Sequence, residues 1–369
     1  MHISLHTPTI ILLDILSCKN ARSYIYGAGL IHSIKKQQYT CAFDVLTTAL
    51  PQDVQKLLID AGYAVYASNN IISVSKEDNH FRITTACCLD EYFETLDFTV
   101  NGILADEDGI VITKYFDIED IERKIIRLAN KEKDYLQHHK IKKLQAIRYL
   151  SQLPGFSVDT ILADIIKNDP ELTDVAPSLI GDELKWLLTG SNVREALKLL
   201  QTTSLLKTIS PALDACVGVE QNEYHTQDVY NHIIDVVSNT APDLILRLAA
   251  LFHDICKPEC KIIKDGKIRF PGHAKRSAEI CREILIFYGY DFAVIDKVTL
   301  LIKYHMKKEK MSDAQLLDMI CECRPENIDD IFKLQFADNA ATLVTNRDGM
   351  IYNKKRAYEL LNNNQNNNN

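Results

Sequence analysis

The periodicity of this chain changes near residue 118, and that change limits the folds open to it. Up to about residue 117, short runs rich in β-branched and aromatic residues (Ser23–Tyr26, Ala64–Tyr66, Ile71–Ser75, Phe81–Thr85) flank one helical pattern at Pro51–Ala61. Pro51 suits a first helical turn, and Val54, Leu57, Leu58 and Ala61 fall on one face. From Ile118 onward a helical spacing runs almost without interruption. It predicts helices at Ile118–Leu128, Ile141–Gln152, Thr160–Lys167, Ile180–Leu188 and Val193–Leu200, with breaks at Pro154-Gly155, Pro170 and Gly190. A second series follows at Asp228–Val237, Pro242–Cys256, Ala274–Phe287, Phe292–Tyr304, Asp313–Cys321 and Asn327–Thr345. The class is therefore α+β: a small α/β head over 1–117, an all-α body over 118–215 and an all-α domain over 216–347. Residues 348–369 form a polar, Asn-rich tail, and Asn362–Asn369 is too polar to pack, so disorder is expected there.

At 369 residues and 46% apolar content the chain is long enough for two or three packed units. It holds no run near the roughly 20 apolar residues of a membrane-spanning helix, since Ile10–Leu16 is short and carries Asp14. No basic segment and cleavage site of a secretory signal opens it, and a cytoplasmic protein is expected. Its ten cysteines are scattered, with spacings at Cys256/Cys260 and Cys321/Cys323 that suit zinc poorly, so reduced thiols are expected. A net charge of −8 argues against a protein coated in nucleic-acid-binding surface, and no DNA partner is expected. Local basic stretches remain, one at Lys131, Lys133, Lys140, Lys142, Lys143 and Arg148, and one running from Lys257 to Arg276. In the first, Lys140, Lys142, Lys143 and Arg148 are candidate RNA-binding residues.

The second half carries the clearer chemistry. His232 lies on a predicted helix, four residues after Asp228, which puts both on one face and lets the aspartate orient the histidine. The next helix is apolar nearly all round and would bury His253-Asp254, an unpaired aspartate being costly in such a place. Asp338 would close the site from the last helix. His273 and His305 fall between, giving six candidate ligands, enough for one or two divalent ions. Lys257, one turn after His253, could meet a phosphate, with Arg276 a weaker candidate beside it.

The ordered set His232, His253-Asp254, Asp338 resembles the HD superfamily of metal-dependent phosphohydrolases, and His253-Asp-Ile-Cys-Lys-Pro258 is close to that family's HDIGKP, with Cys256 for glycine. The resemblance implies a metal centre (Mn, Fe, Ni, Co or Mg) with His273 and His305 as the extra ligands of dinuclear members. It also implies catalysis of phosphoester hydrolysis by Asp254, Lys257 and Arg276.

The segment order resembles the bacterial tRNA nucleotidyltransferase (CCA-adding enzyme) and poly(A) polymerase family. Tyr26-Gly-Ala-Gly-Leu-Ile-His32 stands at that family's Gly-Gly-x-Val-Arg-Asp turn, Ala42-Phe43-Asp44 at its Asp-x-Asp pair, and Asp97-Phe-Thr-Val-Asn101 at its RRDFTxNA segment. Asp117–Arg127 and Ala146–Tyr149 match two further runs. The departures fall on chemistry: Ala42 replaces one aspartate, Arg82 the third carboxylate, Ile31-His32 the Arg-Asp of the turn, and His138-His139-Lys-Ile-Lys142 the base-reading EDxxR motif. The leading expectation is thus a metal-dependent phosphohydrolase acting on a nucleotide, cyclic phosphate or RNA 3′ end, behind a degenerate nucleotidyltransferase-like head in which nucleotide addition is not expected. The alternatives are tRNA CCA addition and a non-catalytic RNA-binding or regulatory protein. A phosphorylated nucleotide or RNA, tRNA included, is the expected partner, and the oligomeric state is left open.

Overall fold

The computed structural model describes the chain except residues 1–2, 18–20, 36–42, 69–70, 78, 114–118, 133, 307–308, 344–346 and 367–369. Ala42, Asp117, Ile118, Lys133, Thr345 and Asn367–Asn369, all named above, lie outside the described residues. The chain forms two compact units, one of residues 1–175 with 189–192, the other of 176–188 with 193–369. Among the described residues no helix is long and apolar enough to cross a membrane.

The first unit is built on a seven-stranded sheet: β1 (Ser23–Tyr26), β2 (Phe43–Thr47), β3 (Ala64–Ser68), β4 (Ile71–Lys76), β5 (Asn79–Thr85), β6 (Ile103–Ala105) and β7 (Val111–Thr113). Their order is β3-β4-β5-β2-β1-β6-β7, with β2 parallel to β5 and the other neighbours antiparallel. The central strands β1 and β2 are buried at every position, as their apolar and aromatic residues require. Tyr24, Tyr26, Leu46, Tyr92, Phe93, Leu96 and Leu104 form a core on this sheet. Gly27 ends β1 with φ +66° and begins the helix Gly27–Ile34, a backbone turn that favours glycine. Two residues on, a Cβ at Gly29 would lie 2.5 Å from the Phe43 ring, so the glycine lets this helix settle onto β2.

The helix Ile141–Gln152 matches its predicted bounds and is buried from Lys143 onward. The segment 118–128 differs from expectation. Only Glu119–Glu122 is helical; Lys124 takes φ +58°, and Ile125–Ile126 pair in parallel with Ser157–Val158. A left-handed residue followed by two β-branched ones ends a helix that apolar spacing alone prolongs.

Among its described residues the second unit is helical apart from a hairpin, Ile262–Lys264 with Lys267–Arg269. Its centre is formed by Val229–Asn239, Leu244–Phe252, Phe292–Lys303 and Ile328–Ala340, packed on one another. Asp243 caps Leu244–Phe252 by accepting from the Leu246 N–H at 2.9 Å, and the helix ends at Phe252, four residues short of the predicted Cys256. The C-terminal segment corrects a further expectation, because residues 362–366 continue the helix Asp348–Asn366 instead of lacking structure. Met350 and Ala357 bury the face that holds it.

Candidate metal centre and head site

In the second unit, the helix ending at Phe252 delivers His253 and Asp254 into the interior, where they are 0% and 1% exposed. Asp254 stands between two pairs of histidines. Its Oδ2 lies 3.4 Å from His232 Nε2 and 3.1 Å from His253 Nε2; its Oδ1 lies 3.2 Å from His273 Nε2 and 3.7 Å from His305 Nε2. Asp338, near the end of Ile328–Ala340, brings Oδ1 to 3.0 Å from His232 Nε2. The six predicted ligands thus converge. Five of them form two groups that share Asp254, His232-His253-Asp254 and Asp254-His273-His305, each with ligand atoms within 4.8 Å of one another, and Asp338 stands beside the first.

Three of the histidines are oriented by one device. His253, His273 and His305 each place Nδ1 at 2.7 Å from a backbone carbonyl three residues earlier, those of Ala250, Phe270 and Ile302. A carbonyl only accepts, so Nδ1 carries the proton and donates it, which leaves the Nε2 lone pair facing Asp254. The Nε2 atoms of His232, His253 and His273 and the Oδ1 of Asp254 are buried without a hydrogen-bond partner. Buried polar atoms left in that state are rare, and nitrogen and carboxylate donors converging on shared points fit a divalent cation.

The electrostatics agree with a cluster arranged around charge. Burial lowers the basicity of His232, but the Asp254 and Asp338 carboxylates outweigh it and lift its pKa to about 9. Burial, then the neighbouring His253, push His305 down to about 4. Burial would raise Asp254, yet His253 and Lys257 hold it well below the usual carboxylate range. Lys257 is itself buried, with Nζ 2.6 Å from Asp254 Oδ2 and donating to Gln221 Oε1 at 2.7 Å. A cavity of about 330 Å³ opens onto the cluster, lined by Lys257, Arg269, Phe270, His273, His305 and Asp338 among others.

Two predicted roles in this unit are corrected. Asp228 does not orient His232; its carboxylate accepts from the N–H groups of Asn231 and Gly218, both at 2.7 Å, capping the helix that carries His232. Arg276 does not line the cavity; Glu259 and Glu279 hold it in surface ion pairs at 3.5 and 3.2 Å. His225 is a residue the sequence reading missed. Its ring stands 4.8 Å from that of His232 and lines the same cavity, with Nδ1 2.8 Å from Asn222 Oδ1. Only its seven-residue separation from His232 could have suggested it.

In the first unit, Asp44 on β2 is the carboxylate at the centre of the sheet, 2% exposed. Arg82, its in-register partner on β5, brings Nε to 3.7 Å from Oδ1, and Arg148 brings Nη1 to 3.5 Å from Oδ2. Burial and then the charge of Asp44 hold the Tyr26 and Tyr149 phenols above their ordinary range. Asp97 accepts from Asn101 Nδ2 at 2.8 Å and pairs with Lys142 at 2.7 Å. Two of the four predicted RNA-binding residues are drawn inward, and Lys140 and Lys142 are half-buried. Lys143 and Arg148 are 0% and 1% exposed, Lys143 donating to Asp169 at 2.8 Å, while Lys140 reaches Asp174 at 3.6 Å. An exposed basic patch at Lys143 and Arg148 is therefore corrected: the helix that carries them is buried, and each side chain ends on a carboxylate, Lys143 on the partly exposed Asp169 and Arg148 on the buried Asp44.

Fold and donor set together define a chain with an α/β unit built on a seven-stranded sheet and a largely helical unit that carries an HD-type cluster of histidines and aspartates. Residues 215–342 match the family described as "HD domain", and residues 155–217 match "Probable RNA and SrmB- binding site of polymerase A". The chain is related to the bacterial tRNA nucleotidyltransferase and poly(A) polymerase family and carries an HD domain. It is 26% identical to the A-adding tRNA nucleotidyltransferase of Deinococcus radiodurans over 268 residues, 69% of this chain and 60% of that one. It is 27% identical to the CC-adding tRNA nucleotidyltransferase of Thermus thermophilus over 274 residues, 70% and 62%. It thus spans about three fifths of the length of these curated relatives. The crystal structure of the Bacillus stearothermophilus CCA-adding enzyme in complex with CTP superposes with a TM-score of 0.59 at 16% identity, covering 96% of this chain and 84% of that one, a likeness of fold.

These relatives overturn the leading functional expectation. They are named for nucleotide addition to tRNA and not for phosphoester hydrolysis, which favours the alternative reading over a phosphohydrolase. It also counts against the expectation that nucleotide addition is absent. The expectation arose because the HD ligands are intact in sequence whereas the head's motifs are altered.

Proposed function

We propose that this protein acts at the 3′ end of tRNA as a nucleotidyltransferase, its head carrying the transfer site around Asp44. The observation that carries this reading is the convergence of A-adding, CC-adding and CCA-adding relatives on one reaction, together with a head whose central strand presents Asp44 beside the Gly27 turn. A Cβ at Gly27 would lie 3.3 Å from Asp44 Oδ2 and 3.1 Å from Asn101 Oδ1, so the glycine keeps the backbone close to both groups. ATP and CTP are the nucleotides proposed, tRNA the acceptor, and the cytoplasm the compartment.

His232, His253, Asp254, His273, His305 and Asp338 are proposed to hold one or two divalent ions. A divalent ion there would supply positive charge for binding phosphate oxygens. The chain's own residues do the rest: the three backbone carbonyls fix the histidine tautomers, Asp254 joins the two ligand groups, and Lys257 adds a buried ammonium at the cavity wall.

Incorporation of labelled ATP or CTP into tRNA lacking its 3′-terminal nucleotides tests the reading. Addition by the wild type that is lost in Asp44→Asn supports it; no addition by a folded wild type contradicts it.

A further inference from the structure

We propose that Arg82 is a built-in counter-ion which closes Asp44 to divalent cations, so that the head's cation affinity is set by whether the Arg82–Asp44 pair is open. The proposal rests on the reading of the head as a transfer site and concerns how that site is controlled.

Nucleotidyl transfer ordinarily relies on carboxylates that hold divalent ions about the attacking and leaving oxygens. The described residues of the head do not fit that requirement. Each oxygen of Asp44 already faces a guanidinium, Oδ1 that of Arg82 and Oδ2 that of Arg148. The neighbouring carboxylate, Asp97, is committed to Lys142, to Asn101 and to the Phe98 N–H at 2.7 Å. Among the described residues, the groups of three or more side chains able to hold a metal both lie in the other unit.

The two guanidiniums reach Asp44 from different elements, Arg82 from β5 and Arg148 from the helix Ile141–Gln152. Arg148 is anchored apart from Asp44, donating to Gln152 Oε1 at 2.8 Å and lying over the Tyr149 ring at 4.1 Å. Strand register brings Arg82 against Asp44. Asp44 and Arg82 are aligned partners on parallel strands, so both side chains leave the same face of the sheet and meet with 3% and 8% of their surfaces exposed. A cation at Oδ1 must displace that guanidinium or be repelled by it. Register therefore places a positive charge where a second carboxylate would be needed.

The test is the number of Mn²⁺ ions bound per full-length chain, read by equilibrium dialysis and electron paramagnetic resonance. Arg82→Gln and Arg82→Met are carried in parallel, so that a folding failure in one leaves the other to decide. Each is expected to bind one more ion than the wild type, with at least tenfold tighter affinity at that site. Arg82→Lys, which keeps the charge, should resemble the wild type, and Arg82→Gln/Asp44→Asn should lose the extra ion. No extra ion in either neutral variant overturns the proposal, as does an extra ion that survives Asp44→Asn or appears in Arg82→Lys. The transfer assay separates the two claims. A wild type that adds nucleotide while the neutral variants gain no ion refutes the counter-ion and keeps the function. A wild type that adds none while they gain one supports the counter-ion and refutes the function.

Discussion

Lys257 Nζ lies 2.6 Å from Asp254 Oδ2, the same oxygen that faces His232 and His253. One carboxylate oxygen thus serves a buried ammonium and the first ligand group together. An ammonium so near repels a divalent ion bound by that group. Lys257→Met should therefore tighten Mn²⁺ binding at the histidine–aspartate centre by about tenfold, roughly 1.4 kcal/mol. Asp254→Ala should abolish it. Calorimetric titration of the folded variants checks both, and weaker binding in Lys257→Met would show that the lysine supports the ion.

Lys143 is enclosed, giving its charge to Asp169 at 2.8 Å and to the Glu171 carbonyl at 3.1 Å. Replacing it with methionine should cost about 2 kcal/mol of stability in urea unfolding, since Asp169 is one-third exposed and can be rehydrated. RNA affinity should change little at a side chain that solvent does not reach. A tenfold loss of RNA binding without loss of stability would restore the surface role expected from sequence.

Gly27 combines φ +66° with its closeness to Asp44 and Asn101. Gly27→Ala should destabilise the protein by about 1–3 kcal/mol through backbone strain alone. Nucleotide addition should fall further than stability explains, because the added methyl meets the Asn101 side chain at 3.1 Å. Thermal melting beside the transfer assay distinguishes the two effects.

Asp97 supplies a pH dependence whose sign is fixed. Burial would raise its carboxyl, but Lys142, Asn101 and the Phe98 N–H together hold it below its ordinary 3.8. A depressed folded value gives stabilisation that is complete above the ordinary value and is lost as the pH falls toward the folded one. The wild type should therefore lose stability below about pH 4 more steeply than Asp97→Asn. Equal slopes in acid denaturation would mean that the Lys142 pair contributes nothing.

Much of the site was legible in the sequence because its signals are local. Asp, His and the apolar helix before them announce burial at Asp254, and His232, Asp254, His273, His305 and Asp338 converge in space. What sequence could not reveal depends on distant pairing. Asp228 reads as an orienting residue by its four-residue step, yet a free helix N-terminus claims its carboxylate first. Lys143 and Arg148 read as a basic surface until Asp169 and Asp44 draw them inward. The meeting of Arg82 with Asp44 requires the parallel register of β2 and β5, which no periodicity encodes. The helix expected over 118–128 failed for a local reason, the left-handed turn at Lys124.

The most direct measurement is extension of a 3′-truncated tRNA by the full-length protein with ATP and CTP, resolved one nucleotide at a time. The account predicts addition by the wild type and a loss of at least a hundredfold in Asp44→Asn, about 2.7 kcal/mol of transition-state stabilisation. A folded protein that binds tRNA and adds nothing, or addition that Asp44→Asn leaves intact, would contradict it.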